Sequence, residues 1–309
     1  MKVAVFGGTG FVGKYILKSL LNNNHTIYTL VRYGSEFKLN HLQNINIISG
    51  EIINNTALEQ TIMNCSTIIY NIGIIREFHS KNITCQKLHY DYTKKVIDKA
   101  KQYNIQHFIL MSANGVKASG TNYQRTKYMA EEYLKSSGLK YTIFRPSLIF
   151  GEPTKNDQEF CTQLRDTMIK SPIPAPLFFS GINISQAAQF EMSPIHVQNV
   201  ADFFVQAIEN EKHYMQTYEL GGLKSYNWKE IISYISLTLK KKKWMVPTPV
   251  NIVKTIAFFM DRFQFFPITR DQLTMLLEGN TCNSEHLFKD FNISPIEFSI
   301  KNLSYLCKK

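Results

Sequence analysis

Cysteine is scarce and scattered in this sequence: Cys65, Cys85, Cys161, Cys282 and Cys307, with no C-x-x-C pair among them. Their odd number argues against a disulfide framework, and their spacing offers no zinc ligand set, so no metal site is expected. Long apolar runs are missing too. No stretch reaches the roughly 20 apolar residues a spanning helix needs. The opening MKVAVFGGTG has no long apolar region and no small-residue cleavage site, so no secretory leader is expected. Internal repeats and low-complexity segments are also lacking. These absences suit a cytoplasmic protein, or one attached peripherally to the inner face of a membrane. Acidic residues are few beside basic ones, 24 against 35, giving a net charge of +11 and a pI near 9.3. Such a field favours anionic ligands, among them a phosphorylated cofactor or an acidic membrane surface. A lysine-rich solvated surface would give the same sum. No recognised nucleic-acid module is present, and no nucleic-acid partner is expected.

What is present is a globular composition. Of 309 residues, 44% are apolar and 19% charged, enough for a packed main domain with a smaller companion. The first half alternates short apolar runs with helical patterns. Strands are expected at 3–6, 26–31, 45–48, 67–72, 107–111 and 141–144. Helices are expected at 11–21, 57–63, 86–103 and 123–136. This alternation predicts an α/β fold: a Rossmann-type, doubly wound parallel sheet covered by helices on both faces. After Gly151 the rhythm breaks. Residues 171–181, with Pro172, Pro174 and Pro176, read as a loop. A helix over 200–210, a strand over 217–220 and a helix over 231–239 follow, the last opened by a capping box of Asn227 and Glu230. The expected division is an NAD(P)-binding domain over 1–151, with 192–222 returning to it. Residues 152–191 and 223–309 then form a smaller, partly helical substrate domain.

GGTGFVG sets Gly7, Gly10 and Gly13 between the first strand and the first helix. Gly7 suits a tight turn, Gly10 a close backbone approach to pyrophosphate, and Gly13 close helix–strand packing. The free N–H groups at the helix start would hold the pyrophosphate. At the end of the second strand, where NAD-specific sites carry an acid for the ribose 2′-hydroxyl, this chain has Arg32. A guanidinium suits the 2′-phosphate of NADP(H), which is therefore preferred over NAD(H).

Tyr123 and Lys127 lie one helical turn apart and point the same way. A lysine beside a tyrosine hydroxyl favours the phenolate and lowers the tyrosine pKa. The tyrosine can then exchange a proton with a carbonyl oxygen while nicotinamide exchanges hydride. Lys127 would also reach the nicotinamide ribose, and Ser112, at a strand end, would orient the carbonyl.

With these motifs in order, the chain resembles the short-chain dehydrogenase/reductase superfamily, in its extended and atypical branches. GGTGFVG, NIGII, MSANG, YQRTK and RPSLIFGEP carry the resemblance. NIGIIRE, PIHVQNVADF, YELGG and ITRDQLTMLLEGN make it similar to the accessory subunit of respiratory complex I with this fold and to its bacterial relatives. The resemblance implies tight NADPH binding. It implies that Gly7, Thr9, Gly10, Phe11, Val12 and Arg32 surround the adenosine and pyrophosphate, and that Gly73 approaches the cofactor. Ser112, Tyr123 and Lys127 take the catalytic triad positions, with Pro146 and Ser147 near the nicotinamide. Glu51 and Asn199 stand where the family usually has aspartate; asparagine, at least, caps helices.

Two functions follow. One is an NAD(P)-dependent oxidoreductase or epimerase-like enzyme acting on a small molecule. The other is a non-catalytic NADPH-binding subunit or assembly factor of a respiratory membrane complex. His196 reads as a core histidine, and His79 and His89 lack metal-ligand spacing. The stretch 252–266 reads as a core or groove-lining helix. Lys240, Lys241, Lys242 and Lys243 beside Trp244 fit either a solvated turn or a contact with an anionic membrane or acidic partner.

Overall fold

The computed structural model describes all residues except 155, 156, 180, 182, 209, 252–254, 256–268 and 309. In chain order the strands are β1 Lys2–Phe6, β2 Thr26–Val31, β3 Ile45–Ser49, β4 Thr67–Tyr70, β5 His107–Met111 and β6 Tyr141–Pro146. Then come β7 Ile149–Phe150, β8 Ala175–Phe179, β9 Glu191–Met192, β10 Ile195–His196, β11 Gln216–Leu220, β12 Tyr226–Asn227 and β13 Met245–Pro249. The helices are α1 Phe11–Asn22, α2 Asn55–Ile62, α3 Tyr92–Gln102, α4 Asn122–Ser136, α5 Phe160–Leu164, α6 Val197–Gln206, α7 Trp228–Thr238, α8 Arg270–Glu278 and α9 Glu285–Asp290. The chain divides into two compact units. The first holds Met1–Pro146, Val197–Leu220 and His286–Ser294; the second holds Ser147–His196, Gly221–Glu285 and Pro295–Lys309.

The first unit is built on seven strands in the order β11-β6-β5-β4-β1-β2-β3. Every pairing is parallel. Parallel strands need helical crossovers, so both faces are covered and strands such as HFILM of β5 are buried throughout. On one face Phe6, Tyr70 and Phe108 pack with Leu58, Val96 and Ile97 from α2 and α3. On the other, α6 returns to lie against α1. There Ser19 donates to Asp202 at 2.9 Å. The strand order reverses at β1 and β4. A crevice therefore opens beyond their carboxyl ends, where such sheets bind ligands.

The second unit buries Trp228 among Phe178, Phe190 and Phe160. Its indole N–H donates to the Pro176 carbonyl at 2.9 Å, so the ring's one polar atom is satisfied. Ile231, Ile232 and Ile235 of α7 complete this core, and α7 opens on the Asn227–Glu230 capping box.

Two expectations change. Residues 171–181 are not all loop, because β8 pairs in parallel with β13. Proline is tolerated there because a sheet of two strands has only edges. Asn199 is no helix cap: it lies inside α6 and its side-chain amide donates to the Ser294 carbonyl at 2.8 Å. Of the helix expected over 252–266, all but Thr255 lies outside the described residues.

Candidate functional site

The phosphate turn follows β1 directly. Gly7 has a φ of +94°, and a Cβ there would sit 2.8 Å from the Asn71 carbonyl oxygen, so the turn and the end of β4 touch. Gly13 is more constrained. Its Cβ would stand 2.0 Å from the Gly7 carbonyl oxygen, so only glycine lets α1 begin this close to the turn. Gly8, unremarked in the sequence, is similarly tight: a Cβ would meet Thr29 Oγ1 at 2.8 Å. Gly10 differs. Its Cβ would have ordinary clearance, 3.5 Å, and the residue is exposed, which leaves open backbone for a ligand to approach. Thr9, Phe11 and Val12 are half-buried around it. Helix α1 starts with Gly10 as its N-cap, no side-chain cap and no acidic residue in its first turn. Its first N–H groups and its dipole face outward together, the arrangement an anionic phosphate needs.

Arg32 follows β2 and is exposed. The next acidic residue, Glu36, accepts a hydrogen bond from Ser49 of β3 at 2.7 Å. Glu51 is exposed beyond β3.

Helix α4 carries the remaining candidates. Thr121 caps it, and Gln124 completes the capping box and donates to the Gly115 carbonyl at 2.9 Å. That ties the loop after β5 to the helix start. Tyr123, Lys127 and Glu131 then form a stripe, each four residues from the next. The Lys127 ammonium donates to the Met111 carbonyl at 2.9 Å and lies 5.7 Å from the centre of the Tyr123 ring. Burial pulls its pKa down to about 8, against the opposing pull of Glu131. Burial also pushes the Tyr123 phenol above its ordinary range. The expectation that Lys127 lowers the Tyr123 pKa is thus corrected: burial is the largest cause and moves the phenol the other way.

Ser112 is buried at the end of β5, and its hydroxyl donates to Glu131 Oε1. Glu131, fully buried, also receives Arg145 in a two-pronged pair, Nε at 2.9 Å and Nη2 at 2.6 Å. Such a fork–fork pair fixes geometry as well as charge. The Ser112 O–H is thereby committed to a carboxylate, and its lone pairs are what it can offer a ligand.

His89 was not singled out from the sequence as a site residue. It lies in a wide, π-type turn, Gln86–Asp91, before α3. Its Nε2 accepts the Ile74 N–H at 3.0 Å, and its Nδ1 lies 3.0 Å from Thr126 Oγ1. Because Nε2 accepts, the proton sits on Nδ1 and the ring is neutral. Burial, then the Lys127 charge, hold its pKa well below the usual histidine value. The ring meets Tyr123 edge-on at 5.2 Å. Gly73 lies over the pair: a Cβ there would be 3.6 Å from His89 Nε2 and 3.6 Å from Lys127 Nζ. A longer side chain would cover the ammonium. A small cavity behind these groups is lined by Tyr70, His89, Ser112 and Lys127.

Pro146 ends β6, and its carbonyl accepts the Asn114 N–H at 3.0 Å. Ser147 belongs to the second unit, where its hydroxyl donates to the Asn280 carbonyl at 2.6 Å. His196 lies edge-on to Phe150, and burial lowers its pKa to about 4. Among the described residues no group of metal ligands occurs, and no helix is long and apolar enough to cross a membrane.

Known proteins share this fold. The mitochondrial NADH-ubiquinone oxidoreductase 40 kDa subunit of Neurospora crassa is 24% identical over 97% of this chain and 77% of its own length. The mitochondrial NADH dehydrogenase (ubiquinone) 1 alpha subcomplex subunit 9 of Dictyostelium discoideum is 24% identical over 97% of this chain and 83% of its own. The structure of Thermus thermophilus UDP-glucose 4-epimerase with NAD superposes with a TM-score of 0.72 at 14% identity, covering 99% of this chain and 98% of the epimerase; it shows the shared fold. A protein-family profile described as NAD(P)H-binding matches residues 7–174, more than half of the chain. The chain belongs to this NAD(P)H-binding family, in the atypical short-chain dehydrogenase/reductase group.

Proposed function

We propose that this protein holds NADP(H) as a lasting component of its fold and serves as an accessory or assembly subunit of a respiratory membrane complex. The observation that carries the reading is the commitment of the polar groups around Tyr123. The Ser112 O–H is spent on Glu131, and Lys127 gives one of its three N–H groups to the Met111 carbonyl, while the phosphate turn stays open. A cofactor bound only by the folded state stabilises it by several kcal/mol at high saturation, so a structural nucleotide is physically sensible. Gly7, Gly10 and Gly13 with the α1 amides take the pyrophosphate. Thr9, Phe11 and Val12 flank it, and Arg32 takes the 2′-phosphate. Gly73, Tyr123, Lys127 and Pro146 border the nicotinamide end. The relatives named as parts of NADH-ubiquinone oxidoreductase support the accessory role.

The second reading is an NADP(H)-dependent oxidoreductase or epimerase-like enzyme with Tyr123 as general acid/base. The i, i+4 spacing of Tyr123 and Lys127 favours it, as does a lysine whose pKa of about 8 lies within reach of working pH. Tyr123→Phe separates the two. The accessory reading expects unchanged NADPH affinity, unchanged co-purification with complex I subunits and no turnover to lose. An NADPH-dependent turnover of co-purified metabolites that the substitution abolishes would establish the enzyme.

A further inference from the structure

The second unit carries an apolar surface beside a run of lysines, and neither has a role in dinucleotide binding. Strands β8 and β13 form a two-stranded parallel sheet in which Met245 lies opposite Ala175 and Val246 opposite Pro176. Ala175 is fully buried and Met245 half-buried. Trp244, at 74% exposure, and Val246, at 46%, flank Met245 on the surface. Ile173, at 71%, is held beside them, because Lys243 Nζ donates to the Ser171 and Ile173 carbonyls, each at 2.6 Å. Leu237, at 62%, lies in the last turn of α7, just before the lysines.

Lys243 is therefore a tether, and the outward charge belongs to Lys240, Lys241 and Lys242, all exposed. No Asp or Glu occurs from Ile231 to Val250, or from Thr167 to Phe190. The patch thus combines three exposed lysines, an exposed indole and branched aliphatic side chains. We propose that this surface seats on an anionic phospholipid bilayer, with Trp244 and Ile173 entering the headgroup region and the three lysines meeting lipid phosphates. Charge complementarity selects an anionic partner, and the apolar side chains standing among the lysines select a lipid surface over a purely polar acidic protein. The inference is independent of the cofactor reading.

The test uses the full chain and vesicles of phosphatidylcholine with or without phosphatidylglycerol, at low salt. Binding to the anionic vesicles alone is expected, with a blue shift of tryptophan emission as Trp244 leaves water; the only other tryptophan, Trp228, is buried throughout. Replacing Lys240, Lys241 and Lys242 together by Gln is expected to weaken binding on the order of a hundredfold. Trp244→Ala is expected to remove the emission shift. An unchanged far-ultraviolet spectrum and an unchanged urea midpoint show that each variant is folded. No binding to anionic vesicles overturns the proposal. So does binding that survives the triple substitution, or binding without an emission shift. Capture by polyglutamate without vesicle binding assigns the surface to an acidic protein and overturns it equally.

Discussion

Lys127 is a buried ammonium with one backbone acceptor, and its pH behaviour follows from that. Its folded pKa, about 8, lies below its unfolded value near 10.4. Between those values the unfolded chain binds more protons, so stability rises with pH across that window. The desolvation cost is fully present below about pH 8. Lys127→Met is expected to flatten this rise, read from urea midpoints across the alkaline range, and to weaken NADPH binding at neutral pH. A rise that persists in the variant places its origin elsewhere. The Tyr123–Lys127 pair was legible in the sequence because helical spacing alone fixes which residues share a face. Glu131, one turn further on, was as visible, yet its bonds to Ser112 and Arg145 depend on how β5 and β6 meet α4. Spacing does not reveal such contacts. His89 stayed hidden for the same reason: it precedes Tyr123 by a strand and a helix, and only the fold brings the rings together.

At the scale of elements, two constructions hold the site. The first is the turn between β1 and α1. Gly13→Ala would force a Cβ into the Gly7 carbonyl, so the helix start must shift. Loss of measurable NADPH binding is expected, together with destabilisation of about 1–3 kcal/mol from overpacking. Calorimetric titration and chemical denaturation read the two effects, and an alanine variant that binds normally would contradict the assigned geometry. The second is the Ser112–Glu131–Arg145 group. Glu131→Ala leaves the buried Ser112 hydroxyl without its acceptor and Arg145 with only Glu219 at 3.7 Å, and is expected to cost about 1–3 kcal/mol, read from urea midpoints. A Glu131→Gln variant that still accepts from Ser112 should lose less. The parallel sheet was readable from its apolar runs because burial on both faces leaves no polar alternation. The β8–β13 pair was not, since prolines that signal loops in most settings are harmless in two edge strands.

At the scale of the whole molecule, buried histidines set its response to acid. Burial holds His107 near a pKa of about 3 and His196 near about 4, and lowers His89 and His213 as well. The His107 ring donates through Nε2 to Thr142 Oγ1, because that hydroxyl is itself donated to the His213 carbonyl. These groups are neutral when folded and take protons when unfolded. Their stability is therefore present above about pH 6.5 and lost as pH falls toward about 3. Urea midpoints should drop between neutrality and acid, and His107→Gln should reduce the slope; an unchanged slope would remove His107 from the account.

The surplus of basic residues was plain from composition, but composition alone does not say where the charge meets a ligand. The central claim is that the chain grips NADP(H) through the β1–α1 turn and Arg32. Titration of NADPH and NADH into the nucleotide-free protein, followed by nicotinamide fluorescence, tests it most directly. The account predicts saturable binding of one NADPH per chain, roughly tenfold or more tighter than NADH, with the difference lost in Arg32→Asp. Equal affinities for the two nucleotides, or no saturable binding of either, would contradict it.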